Sequence, residues 1–72
     1  MSRIAALGRS TELAGYALAG VEVIDARNRE AVRSAWEHLE ADVAVVLLTA
    51  EARRLLPATL LPPWRLWAVL PE

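Results

Sequence analysis

Few residues in this 72-residue chain have the type and spacing to do chemistry, and the best placed of them are Gly8, Arg9, Ser10 and Thr11. They follow a short apolar run, Ile4 to Leu7, and open a helical stretch. Exposed N–H groups at the Ser10 end could hold an anion, with Arg9 as counter-charge and Thr11 alongside. Nucleotide chemistry asks for more. A dinucleotide fingerprint or a phosphate loop needs several glycines at fixed spacing, and Gly8 stands alone. Ser10 and Thr49 read more simply as helix caps, and Arg9 as a solvated cation. His38, the single histidine, lies beside Glu37 and Glu40 with no converging partner for a metal or a proton transfer. With zero cysteines there is no disulfide framework, thiolate site or cysteine nucleophile. A phosphorelay receiver needs acidic groups after the first strand and an acceptor Asp after the third, where this chain has Gly8-Arg9 and Thr49. The expectation is a chain with no catalytic residue, no cofactor and no metal.

The elements that must position these residues alternate along the chain. Strand one is expected at Arg3–Leu7, apolar on both faces, as befits a covered strand. Ser10 is the expected N-cap of helix one, Glu12 sits in its first turn, and Gly20 supplies the stop. Strand two spans Val21–Asp25. Asn28 caps helix two, Arg29 to about Glu40, whose apolar positions Val32, Ala35, Trp36 and Leu39 keep the helical period. Val43–Leu48 has the continuous apolar run of a central parallel strand. Thr49 caps a short helix, Ala50–Leu56, which Pro57 ends, and Trp64–Leu70 reads as strand four. Such alternation implies right-handed crossovers and one α/β domain over residues 1–72. Its expected form is a small four-stranded parallel sheet of order 2-1-3-4, with helices on both faces, of Rossmann-like or receiver-like topology.

Composition narrows the partners. A net charge of −1, with all eight basic residues Arg and only Arg53-Arg54 adjacent, offers no clustered basic surface for nucleic acid. The apolar run after Arg3 is too short for a signal peptide, and prolines and Arg65 break the Leu55–Leu70 stretch, so no membrane insertion is expected and the chain reads as cytoplasmic. A domain this small buries only about 60% of its unfolded surface. Here 56% of residues are apolar, so association is the expected source of extra stability. Helix one is the natural place for it: from Leu13 to Ala19 it carries no charge, whereas a surface helix normally shows water a charged stripe. Candidate partner-binding residues are Leu13, Tyr16, Ala17 and Leu18, together with Trp64 and Trp67. Those tryptophans, three apart on a strand, point to opposite faces, so at least one reaches the surface. In the 2-1-3-4 order the sheet face beside helix one, under strands three and four, is expected to be partly bare. Self-association through it, as a homo-oligomer, follows.

The stretch Ile4-Ala5-Ala6-Leu7-Gly8, then Thr11, then Gly15-Tyr16-Ala17-Leu18-Ala19-Gly20-Val21, resembles the opening of the F subunit of the V/A-type rotary ATPases. That family typically shows a strand ending in Gly-Asp and a Gly-Phe-x-Leu-Ala-Gly segment. Asn28, the run Val45-Val46-Leu47-Leu48-Thr49 with Glu51 after it, and Ala68-Val69-Leu70-Pro71 extend the likeness over nearly the whole chain. Arg9 stands where the family usually has an acidic residue. The resemblance implies a non-catalytic central-stalk protein, peripheral to the membrane, that grips the coiled-coil D subunit of the rotor. Such a protein helps couple ATP hydrolysis or synthesis to ion transport. The resemblance also implies a short version of the family, without its C-terminal helix. Two other readings stand beside it: a stand-alone homo-oligomeric regulatory domain of the same fold, and a small anion-binding enzyme using the Gly8–Thr11 turn.

Overall fold

Strands and helices alternate in the computed structural model, which describes residues 3–57 and 65–71. In chain order they are β1 (Arg3–Gly8), α1 (Ser10–Leu18), β2 (Glu22–Asp25), α2 (Arg29–Glu37), β3 (Val43–Leu48), α3 (Ala50–Leu55) and β4 (Leu66–Val69). All three strand pairings are parallel and the order is β2-β1-β3-β4, the expected topology. Because the chain reverses direction after β2, right-handed crossovers put α1 on one face of the sheet and α2 and α3 on the other.

The two faces are filled unequally. Ala5 and Leu7 of β1, with Val46 and Leu48 of β3, pack against Val32 and Trp36 of α2 and against Ala52 and Leu56 at α3, forming the main core. Side chains alternate along a strand, so Ile4 and Ala6 belong to the α1 face. The register continues that face as two rows, Ile4–Val45–Leu66 and Ala6–Leu47–Ala68. Only one α1 side chain, Leu13, is fully buried on this side.

Local chemistry fixes the helix ends. Asn28 Oδ1 accepts the Ala31 N–H at 2.8 Å and Thr49 Oγ1 accepts the Ala52 N–H at 3.1 Å, both as expected of N-caps. Gly20, at φ +88°, takes the left-handed conformation that ends α1. Ser10 departs from its expected role. It is the first helical residue, Arg9 stands at the N-cap with no side-chain cap bond, and the Ser10 N–H donates to Asp25 Oδ1 at 2.9 Å. The cap arrives from another strand because Gly8 pairs with Asp25, bringing the end of β2 beside the start of α1.

Helix two also stops earlier than its apolar period suggests, at Glu37 instead of Glu40. The Glu40 carbonyl is taken by the Val43 N–H at 3.1 Å and by Arg65 Nη2 at 3.2 Å, so this residue belongs to the turn into β3. The described part of strand four begins at Leu66, and the expected start at Trp64 lies outside the described residues. At the lower end of the sheet, Arg3 joins three segments through Asp42, at 2.8 and 2.9 Å, and through Glu22 and Glu40.

Candidate functional site

At the carboxyl ends of the strands the polar residues converge, and most of them are spent on one another. A Cβ on Gly8 would lie 2.4 Å from Thr49 Cγ2 and 2.5 Å from Thr49 Oγ1, so only glycine lets β1 run this close to the cap of α3. Arg9 Nε donates to Glu51 Oε1 at 2.8 Å across the mouth of the sheet, and this carboxylate raises the guanidinium's pKa further. Asp25 accepts the Ser10 N–H and pairs with Arg27 at 3.3 Å; chiefly the Ser10 N–H, and then Arg27, hold its carboxyl below the usual range. The place where Arg9, Ser10 and Thr11 offered an anion site thus already carries a carboxylate of the chain itself. An incoming anion would have to displace Asp25 from Ser10. His38 is exposed, with Nδ1 at 2.7 Å from the carbonyl of Ser34 one turn back in its own helix. Among the described residues no group of three or more His, Asp and Glu side chains is placed to hold a metal ion. Nor is any helix among them long and apolar enough to cross a membrane.

Beside this polar end opens a crevice of about 600 Å³, between Glu12, Leu13 and Tyr16 of α1 and Thr49, Glu51, Arg54 and Leu70 at the ends of β3 and β4. It lies where the strand order switches between β1 and β3, the position at which open α/β sheets leave a gap. Sequence reasoning places Thr49 there. It misses Arg54 and Leu70, although the 2-1-3-4 order already puts the end of β4 next to that of β3.

Below the crevice the α1 face stays bare. Leu66 is 70% exposed and Ile4 45%, Ala68 is exposed, and Val45 and Leu47 are half-buried. On α1, Leu18 is 92% exposed, and Ala14, Gly15 and Ala17 are also open. The candidate partner residues therefore divide. Tyr16 borders the crevice, Ala17 lines a second cleft with Ile4, Val21 and Glu22, and Leu18 faces outward. Leu13 is a correction: the one long apolar side chain that points from α1 into the sheet, it is wholly buried and is a core residue. Trp67 is 38% exposed but lies on the opposite face, in register with Val46, with the Arg53 guanidinium 5.3 Å from its ring. Trp64 lies outside the described residues. Ile4, Leu66 and Ala68 were not among the candidates; the register of β1, β3 and β4 puts all three on this face.

Comparison with protein-family models, curated proteins and solved structures gives no match to this chain.

Proposed function

We propose that the chain is a non-catalytic binding module similar to the F subunit of the V/A-type rotary ATPases. In this reading it sits on the central stalk in the cytoplasm, peripheral to the membrane. There it helps couple ATP hydrolysis or synthesis to ion transport through contact with a coiled-coil rotor protein of the D type. One observation carries the reading: Leu18 on the uncharged stretch of α1 and Leu66 on the bare half-face of the sheet are both largely in water. Exposed apolar side chains gathered into a patch mark protein interaction sites. The commitment of Arg9 to Glu51 and of Ser10 to Asp25 also supports a binding role over catalysis, since these pairs position elements and leave no poised nucleophile or base.

Titration calorimetry with a D-type coiled-coil hairpin tests the proposal. Saturable binding with a micromolar Kd is expected, reduced at least tenfold by Leu18→Glu, which at about 1.4 kcal/mol per decade is a modest demand on one central contact. Absence of binding up to about 100 µM hairpin, a concentration that detects interactions near −5 kcal/mol, would overturn it.

A further inference from the structure

We infer that the free edge of β4 receives an extended, acidic segment of another protein, which joins the sheet as a fifth strand. β4 is the last strand in the order β2-β1-β3-β4, and all four of its residues are exposed. The Leu70 N–H donates to the Leu48 carbonyl at 2.8 Å. Bonding direction alternates along a strand, so Leu66 and Ala68 also turn their backbone groups towards β3. Trp67 and Val69 turn theirs outward, two N–H donors and two carbonyl acceptors with no partner among the described residues. Pro71, next in the outward series, has no N–H and closes the row. Natural sheets guard their open edges with charge. β2, at the far edge, does so with Glu22 and Asp25, whereas Leu66–Val69 carries no charge.

Arg53 selects the occupant. The register sets Trp67 beside Val46 and Val69 beside Leu48, so both side chains lie on the α3 face. There the Arg53 guanidinium sits 5.3 Å from the centre of the Trp67 ring, and its Nη1 donates to the Leu56 carbonyl at 3.3 Å. No carboxylate pairs with it among the described residues, since nearby Glu51 is held by Arg9 at 2.8 Å. A half-buried cation thus stands at the open edge without a counter-charge, and its stacking on the ring leaves further N–H groups to bind one. In an antiparallel addition, the residues opposite Trp67 and Val69 exchange both backbone bonds with them and share their face. An acidic side chain opposite Trp67 therefore meets Arg53, while the residues on either side of it fall in line with Leu66 and Ala68 and are apolar. The acidic ends of β2 repel the same segment, so it has one edge to join. A second copy is a poorer occupant. A two-fold pairing would set Trp67 against Trp67 or Val69 of the copy and bring two Arg53 guanidiniums together with no carboxylate between them. A fifth strand widens the sheet and leaves the α1-face strip open, so this pairing holds or fails apart from the rotary-ATPase reading.

The probe is acetyl-Val-Glu-Val-Glu-Val-amide, with glutamine-for-glutamate and lysine-for-glutamate versions as controls, titrated into the ¹⁵N-labelled 72-residue chain at low salt. Saturable shifts in β4 are expected. Amide exchange should slow about tenfold at Trp67 and Val69 and change little at Ala68, whose N–H already faces β3. The glutamate peptide should bind about three- to fivefold tighter than the glutamine one, the scale of one partly exposed ion pair, and the lysine peptide should bind weakest. Salt at about 0.5 M should erase most of that preference. Arg53→Gln should remove it at low salt while the glutamine peptide binds as before. Val69→Pro deletes one outward donor and no bond to β3, so it should weaken every peptide. Circular dichroism checks its fold, and the Arg53→Gln comparison decides the matter even where Val69→Pro does not fold. No saturation by about 5 mM glutamate peptide, equal affinity for the glutamate and glutamine peptides, a preference that survives Arg53→Gln, undiminished binding by folded Val69→Pro, or slowed exchange away from Trp67 and Val69 would each overturn the inference. So would slowing at those two amides when the chain alone is concentrated, which would give the edge to a second copy.

Discussion

The Asp25 carboxylate accepts the Ser10 N–H at 2.9 Å, so the N-terminus of α1 is capped by the end of β2, fifteen residues further along the chain. A free helix N-terminus attracts anions. This one is satisfied internally, and the bond ties the first crossover to the strand it leads into. At the other end of the sheet Arg3 and Asp42 play the matching part, joining the start of β1 to the start of β3 through two hydrogen bonds.

Both carboxyls are held below their ordinary pKa, Asp25 chiefly by the Ser10 N–H and Asp42 chiefly by the Arg3 guanidinium. A depressed folded pKa contributes stability that is present above the unfolded Asp value, ~3.9, and lost as pH falls through the lower folded value. The urea midpoint should therefore hold steady from neutral pH to roughly 5 and drop below about 4. Asp25→Asn and Asp42→Asn should each make that acid limb shallower, and denaturation curves at stepped pH would reveal it. A limb unchanged in both variants would remove these groups from the account.

Gly8→Ala should destabilise the domain by about 1–3 kcal/mol, the usual range for an overpacked site, because the new Cβ meets Thr49 at 2.4 Å. Thr49→Ala alone should cost about 1 kcal/mol through loss of the α3 cap. The Gly8→Ala/Thr49→Ala double variant should lose less than the sum, since the clash and the cap share one side chain. Urea unfolding of the four proteins in the cycle measures the coupling directly, and strict additivity would contradict the close approach.

The two sides of α1 should respond oppositely to truncation. Leu13→Ala opens a cavity beneath the helix and should cost about 2–5 kcal/mol, enough to threaten so small a fold. Leu18→Ala should stay within about 0.5 kcal/mol for the monomer at low concentration. Thermal melts at a few micromolar would distinguish them, and a large loss at Leu18 would mean that this side chain is not facing water.

No ATP hydrolysis is expected from the purified chain. The single glycine at the β1–α1 turn and the engagement of Ser10 with Asp25 give the phosphates nothing to hold. Release of phosphate above background that is abolished by Arg9→Ala or Ser10→Ala would revive the enzymatic reading.

How much of this is legible in the sequence depends on how local each cause is. The strand order follows from alternating apolar runs and helices; Asn28 and Thr49 signal their roles through side-chain chemistry within three residues, and Gly20 through its lack of a side chain. The cap of α1 does not. Ser10 has the right chemistry for an N-cap, but Asp25 reaches the same helix end only through the parallel register of β1 and β2. The end of α2 escapes the sequence for a similar reason: Leu39 keeps the helical period and remains half-buried, while the Glu40 carbonyl is claimed by Val43 and Arg65. On α1 the uncharged run from Leu13 to Ala19 does not reveal which side chain turns inward, since small residues leave the helix nearly free to rotate about its axis. The bare strip is legible in kind, from the strand order. Its membership, Ile4, Leu66 and Ala68, requires the register.

Chemical-shift mapping tests the central claim, that this chain works by docking another polypeptide against α1 and the bare strip. The ¹⁵N-labelled chain would be titrated with a D-type coiled-coil hairpin. The account predicts saturating shifts concentrated at Ile4, Tyr16, Leu18, Val45, Leu47, Leu66 and Ala68, with the charged side of α2 around Arg33 and Glu37 unmoved. Shifts centred on α2 or on the Gly8–Thr11 turn, or none at all, would contradict it.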